Sequence, residues 1–191
     1  MCDIVSYLLG KNASGTGTNN ATIDITGKNG NIQDFITSIS SLDTSNMTSM
    51  SQLFYNCTRL VSLPSYLNTS NVTDMDGAFQ SCDGLETLPN MDTSNVTTMR
   101  NMCYHCIKLK NIPILNTSKV TNFSGMFSYS RGMLSDESLN NLLIMCANAT
   151  SYTGTKTLST LGFTSSMYTS SKIQSLPSYQ AFIDAGWTIG Y

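Results

Sequence analysis

The segment 42–57 combines polar residues with a regular spacing of apolar ones. Its apolar residues follow one another at i, i+3, i+4 and i+7, at Met50, Leu53, Phe54 and Cys57. This spacing is typical of one face of a short helix. The next residues, 60–63, have the length of a short strand, and Pro64 suits the end of a strand. The pattern therefore predicts a turn, a short helix and a brief strand.

The same pattern occurs four times along the chain. The four sequence units begin at Asp43, Asn68, Asp92 and Asn116, which are 25, 24 and 24 residues apart. Equivalent positions also agree: Met50, Met75, Met99 and Phe123; Phe54, Phe79, Cys103 and Phe127; Cys57, Cys82, Cys106 and Ser130; Leu60, Leu85, Leu109 and Met133. A period near 24 is too short for two packed helices and lies in the range of leucine-rich repeats.

One unit alone cannot bury its apolar side, whereas stacked units share a continuous core. We therefore expect an α/β repeat solenoid of leucine-rich-repeat type, with a short strand and a short helix in each 24–25-residue unit. Thr48, Thr73, Thr97 and Thr121 precede the expected helices, where a hydroxyl can cap free N–H groups. Thr73 and Asp76 also have the spacing of a capping box.

The polar residues of each unit have two interpretations. Asn46, Asn71 and Asn95 lie in N-x-S/T sequences, which are glycosylation acceptors in a eukaryotic secretory pathway. Asn and hydroxyl side chains also satisfy backbone groups in turns. We favour the second interpretation, in which equivalent side chains form ladders of hydrogen bonds between units.

The repeats divide the chain into four parts. Residues 1–21 are expected to be an anchoring peptide and a flexible linker, or a disordered terminus, with Ile4, Val5, Tyr7, Leu8 and Leu9 as the apolar side of the peptide. Residues 22–41 would form an N-terminal cap, 42–133 the four repeats, and 134–191 a helical C-terminal cap. In the last part, Ser135 has the character of a helix start, and a second helix is expected over 178–185.

The consensus D/N-T-S-N-V-T-x-M-x-x-x-F-x-x-C-x-x-L-x-x-L-P resembles the repeat of the BspA-like bacterial surface proteins, a variant leucine-rich repeat. The resemblance covers 42–133, about half the chain. The segment 134–191 is similar to the helical ending of such arrays in some surface and bacteriophage proteins, and the opening SYLLGKNASGTG is similar to the start of some phage structural proteins. The resemblance implies a protein that binds or builds, on a virion or outside a cell, without catalysis.

Composition excludes several classes of function. Charged residues make up only 12% of the 191 residues, the net charge is −2, and Lys and Arg form no cluster. Nucleic-acid binding needs such a cluster, so we expect no nucleic-acid partner. The longest apolar run, 142–147, is far shorter than a membrane span. The first residues lack the pattern of a secretory signal. We expect a protein of the virion or of the extracellular cell surface.

Cys103 and Cys106 form the only C-x-x-C sequence, with His105 between them. A redox pair or half a zinc site is one interpretation, but zinc needs four ligands and the chain has one histidine. Both cysteines also occupy apolar positions of the repeat, where a buried thiol packs as a small apolar residue. We expect that structural role, a surface position for His105, no cofactor and no metal.

A binding surface should lie at positions that vary between units, because packing does not dictate them. Candidates are Tyr55, Arg59, Glu86, Arg100, Tyr104, His105, Lys110 and Tyr129. Tyr and Arg are enriched where proteins make contacts. The leading hypothesis is a bacteriophage virion component or accessory attachment protein, joined to other virion or surface proteins through its N-terminal peptide. The alternatives are a bacterial surface adhesin for host proteins or glycans, and a thiol enzyme. A homo-oligomer is compatible with all three.

Overall fold

The computed structural model describes residues 38–39, 42–130, 134–164 and 166–190. Two short strands, β1 (Tyr66–Leu67) and β2 (Asn90–Met91), pair in parallel, with Tyr66 opposite Asn90 and Leu67 opposite Met91. Three α-helices follow: α1 (Asp136–Asn148), α2 (Ser170–Gln174) and α3 (Tyr179–Asp184). A 3₁₀ helix, Leu158–Leu161, lies between α1 and α2. None of the helices in these described ranges is long and apolar enough to cross a membrane.

The predicted fold class is wrong. In the described ranges, the α-helices all follow the sequence units, and the only sheet is the two-stranded pair β1–β2. Most of 42–130 is turns and irregular backbone rather than a strand and a helix in each unit. The α/β repeat solenoid of leucine-rich-repeat type is therefore withdrawn. The expected anchoring peptide, with Ile4, Val5, Tyr7, Leu8 and Leu9, lies outside the described residues, as does nearly all of the expected N-terminal cap.

Left-handed residues explain why the helical spacing produces no helix. Gln52 and Asn56 have φ values of 56° and 62°, which a right-handed helix does not allow. The N–H of Phe54 donates to the carbonyl of Ala78 at 2.9 Å instead of bonding within a helix. The equivalent residues of later units share the left-handed conformation: Gly77, Ser81, Asn101, His105, Gly125 and Tyr129. The apolar side chains still point to one side, but through a series of turns.

Hydrogen bonds join residues about 24 positions apart. The N–H of Thr97 donates to the carbonyl of Thr73 at 2.9 Å, and the N–H of Thr121 donates to the carbonyl of Thr97 at 2.8 Å. The Thr97 hydroxyl also donates to the Thr73 carbonyl, at 3.0 Å. The predicted capping role of the threonines is therefore wrong, because the hydroxyls of Thr73, Thr97 and Thr121 bind the preceding unit and no helix begins within 42–130.

The side chains of the motif that opens each unit form hydrogen bonds within the protein. The buried Thr93 hydroxyl donates to the carbonyl of Asn116 at 2.9 Å, and Thr69 and Thr44 make the same contact one and two units earlier. The amide of Asn95 donates to the carbonyl of Ser70 at 2.8 Å. The predicted ladder of side-chain hydrogen bonds is confirmed. The N–H of Ser94 donates to the Asp92 carboxylate, and this bond, with the Ser94 hydroxyl, lowers the pKa of Asp92.

A continuous apolar core runs from the sequence units into the C-terminal helices. The rings of Phe54 and Phe79 are stacked, with centroids 5.2 Å apart and planes 5° from parallel. Both rings are fully buried, as are Met50, Leu53, Met75 and Leu139. Burial of this apolar surface is the main favourable contribution to folding.

Helix α1 contacts the end of the third sequence unit and the start of the fourth. Ser135 caps the helix by accepting a hydrogen bond from the N–H of Ser138, as its sequence predicts. The Ser138 hydroxyl in turn accepts from the N–H of Ile112 at 2.9 Å, and the hydroxyl of Thr117 donates to the carbonyl of Met145 at 2.5 Å. Helix α1 thus accepts the hydrogen bond of Thr117, whereas Thr44, Thr69 and Thr93 donate theirs to the next sequence unit. The helix predicted over 178–185 is confirmed by α3.

Candidate functional site

The cysteines of the sequence units are fully buried and have a structural role. The Cys82 thiol donates to the carbonyl of Phe54 at 3.2 Å, and the Cys106 thiol donates to the carbonyl of Phe79 at 3.0 Å. Ser130, at the equivalent position of the fourth unit, donates to the carbonyl of Cys103 at 2.6 Å. A hydroxyl can thus replace the thiol, so the position requires a small donor.

Burial disfavours the nucleophilic form of three thiols, those of Cys82, Cys103 and Cys146. It raises the pKa of Cys82 and of Cys103 well above the ordinary value for a thiol, because the thiolate loses its hydration. Burial raises the pKa of Cys146 in the same way. The thiolate is the nucleophile of cysteine chemistry, so none of these thiols is activated at neutral pH. In the described part of the chain, no three His, Cys, Asp or Glu residues are grouped to hold a metal ion.

We expect the five buried cysteines to resist alkylation in the native protein. Cys57, Cys82, Cys103, Cys106 and Cys146 are buried, so iodoacetamide should modify them only after unfolding. Mass spectrometry of peptides after alkylation at pH 8, with and without guanidinium, measures each site separately. Native modification of Cys103 or Cys106 at the rate of an unfolded thiol would revive the thiol-enzyme hypothesis.

Several candidate surface residues form ion pairs between units. Arg100 donates to one carboxylate oxygen of Asp76 through Nη2 at 2.7 Å and through Nε at 3.0 Å. The Lys110 ammonium lies 3.6 Å from the Glu86 carboxylate. Exposed pairs of this kind contribute little to stability, because water screens them. Their clearer effect is on the surface, where each pair cancels two opposite charges.

Tyr104, His105 and Tyr129 come together on one side of the molecule. The N–H of His105 donates to the carbonyl of Ser128 at 2.8 Å, which places Tyr129 beside the preceding unit. The rings of Tyr104 and Tyr129 have centroids 5.2 Å apart and are tilted by 56°. His105 Nδ1 lies 3.0 Å from a carboxylate oxygen of Asp83. We call these four residues, Asp83, Tyr104, His105 and Tyr129, the tyrosine face.

Tyr129 is the most exposed large apolar side chain in the described ranges, at 66%. Its φ is 60°, in the left-handed region, where a bulky residue is unusual. The equivalent residues of the first two units are Asn56 and Ser81, both small polar residues. Neither conformational preference nor core packing explains a tyrosine at this position.

The other candidate residues lie outside the tyrosine face or form ion pairs. Tyr55 occupies the turn position equivalent to Tyr104, two units earlier, and Arg59 is exposed in that same first unit. Sequence reasoning missed Asp76 and Asp83 as partners of Arg100 and His105. Opposite charges 24 and 22 residues apart were the available signal, since this separation matches the spacing of contacting residues.

A second exposed surface was also missed. Val61, Tyr66 and Ile114 are more than half exposed. A groove of about 360 Å³ lies beside the first two, between 61–65 and 87–90, with Pro64 and Pro89 in its walls. Another depression, of about 520 Å³, lies between Ile114 and Thr150. Of these residues only Val61 lay in the strand predicted over 60–63, and a strand pattern does not show which side faces water.

The family described as "Mycoplasma protein of unknown function, DUF285" matches residues 24–142. The chain matches no curated protein and no solved structure. The family description does not test the resemblance to the BspA-like repeat, which stays a prediction. Since the match covers more than half of the chain and includes the four sequence units and the tyrosine face, the chain belongs to the DUF285 family.

Proposed function

We propose that the protein is a non-enzymatic attachment protein, which recognises a partner through the tyrosine face. The observation that supports this proposal is the contact of the half-buried Tyr104 with the exposed Tyr129, whose ring centroids are 5.2 Å apart. Tyrosine provides a large contact area at a small cost in side-chain entropy and is enriched at binding surfaces.

The backbone of Tyr129 strengthens this argument. A left-handed conformation costs a residue with a side chain about 1–2 kcal/mol relative to the ordinary helical region. Burial of the ring does not compensate this cost, because the side chain is 66% exposed. Strained residues that packing does not explain occur preferentially at functional sites. The tyrosine is therefore better explained by a contact with a partner than by stability.

The setting that we propose first is a bacteriophage virion, in which the protein is a structural component or an accessory attachment protein. A bacterial cell-surface adhesin is the second setting, and the family description names a bacterium, Mycoplasma. Both settings place the tyrosine face outside a cell. The buried, hydrogen-bonded thiols support a protein without thiol catalysis in either setting.

The location of the protein tests the proposal. Purified phage particles and intact cells of the source organism would be treated with a protease that does not cross membranes, and the protein would be followed with an antibody. We expect removal of the protein from one of these two exteriors while an internal marker stays intact. Detection of the protein only in the protease-protected interior of cells would overturn the proposed function.

A further inference from the structure

We propose that the tyrosine face binds a neutral sugar, a hexose or N-acetylhexosamine unit of a glycan. This inference deepens the proposed function and depends on it. The arrangement of the two rings, the charges around them and the polar atoms that remain open beside them support this inference.

The two tyrosine rings form a platform in which Tyr129 is exposed and Tyr104 is half-buried. Their centroids are 5.2 Å apart and their planes are tilted by 56°, so the rings touch at an angle. A pyranose ring carries an apolar C–H face that can lie against an aromatic ring and leave water there. Tyr129 keeps 66% of its surface exposed, so its ring is accessible to such a ligand.

The tyrosine face carries one carboxylate, that of Asp83, and no lysine or arginine belongs to it. His105 Nδ1 lies 3.0 Å from Asp83, and Arg100 is paired with Asp76 at 2.7 Å. An anionic ligand would therefore meet the Asp83 carboxylate on the tyrosine face and no lysine or arginine side chain. A neutral ligand avoids the cost of removing a charge from water. The charge balance therefore favours a neutral sugar over a sialic acid, a phosphate group or an anionic lipid.

Polar atoms beside the rings suit sugar hydroxyls. Asp83 uses one carboxylate oxygen for His105, and in the described part of the chain its second oxygen has no hydrogen-bond partner. The other ring nitrogen of His105 is likewise open, and the His105 side chain is 45% exposed. A carboxylate accepts hydrogen bonds from hydroxyls, and an imidazole nitrogen donates or accepts. Aromatic walls with a few polar groups are typical of sites for small ligands.

A protein partner fits this surface less well. A stable protein interface buries about 800 Å² on each side around an apolar core. Of the exposed large apolar residues in the described ranges, Val61, Tyr66 and Ile114 belong to the other surface, beside the groove between 61–65 and 87–90 or in the depression at Ile114. The tyrosine face therefore offers rings and polar atoms without an aliphatic anchor.

Saturation-transfer NMR of the full chain tests the proposal. The probes are glucose, galactose, N-acetylglucosamine and N-acetylgalactosamine, each at tens of millimolar concentration, because a single aromatic platform binds one sugar weakly. We expect transfer to the C–H protons of at least one of the four sugars. The Tyr129→Gly variant should lose this signal at least tenfold, while its melting temperature does not fall, because glycine accepts the left-handed backbone.

Tyr66→Ala is the matched control, since Tyr66 is 55% exposed and lies in β1, on the other surface. This variant should keep the full transfer signal. Absence of transfer to all four sugars, or equal loss in Tyr129→Gly and Tyr66→Ala, would overturn the sugar proposal. If the protease experiment still places the protein outside a cell or on a particle, the attachment function stands and its partner is not a neutral sugar. Location in a protected interior would refute both.

Discussion

Replacement of Gly162 by alanine is expected to destabilise the protein severely. Gly162 has φ +94° and follows the 3₁₀ helix Leu158–Leu161. An added Cβ would lie 2.5 Å from Cα of Ser128 and closer still to its backbone nitrogen. Backbone atoms cannot move aside as the end of a side chain can, so the two segments must separate.

This separation would break identified contacts. The N–H of Phe127 donates to the carbonyl of Leu161 at 2.7 Å, and the N–H of Gly125 donates to the carbonyl of Thr160 at 2.9 Å. We expect Gly162→Ala to lower the free energy of unfolding by more than about 4 kcal/mol, a loss that only such specific mechanisms cause. Urea denaturation followed by circular dichroism measures this loss.

Gly186→Ala is the matched control for Gly162→Ala. Gly186 has a similar φ, +84°, but its added Cβ would meet only Cδ of Lys156, at 3.8 Å. The left-handed backbone alone should then cost about 1–2 kcal/mol. Equal losses for the two variants would show that the close approach of Gly162 to Ser128 does not exist in solution.

Replacement of Phe79 by alanine is expected to cost about 3–5 kcal/mol, the usual range for a buried phenylalanine. The ring is fully buried and stacks on Phe54 with planes 5° from parallel. The loss has two sources: the apolar surface that is no longer buried, and the cavity that the rigid surroundings cannot fill.

Chemical denaturation of Phe79→Ala, Phe79→Leu and Tyr66→Ala separates these contributions. Leucine keeps most of the volume, so Phe79→Leu should lose less than alanine at the same position. Tyr66 is 55% exposed, and its replacement should change stability by about 0.5 kcal/mol or less. A loss below about 1 kcal/mol for Phe79→Ala would contradict the burial and stacking of this ring.

The sequence predicted which residues are buried better than it predicted their backbone. The apolar positions Met50, Leu53, Phe54 and Cys57 are all fully buried, although they lie in turns and not in a helix. The spacing of apolar residues indicates which side chains lie on the same side of a segment. A series of turns with left-handed residues at Gln52 and Asn56 places these side chains on one side, as a helix would. Only the hydrogen-bond partners of the backbone N–H groups distinguish the series of turns from a helix.

The candidate site was predicted in part. Tyr104, His105 and Tyr129 were selected because their positions vary between units, and the structure places them together. The contribution of Asp83 was missed, since no local pattern connects it with His105 across 22 residues. The exposure of the Tyr129 ring also depends on its left-handed backbone, which a tyrosine in the sequence does not signal.

The contact between α1 and the fourth unit affects the self-association of the protein. Backbone N–H and C=O groups at an edge that no segment covers can pair with another chain. Such exposed edges promote aggregation. Here Met145 accepts from Thr117, and Thr160 and Leu161 accept from Gly125 and Phe127. The C-terminal segment therefore closes a surface on which end-to-end polymerisation could otherwise begin, and its loss should favour fibres over free monomers.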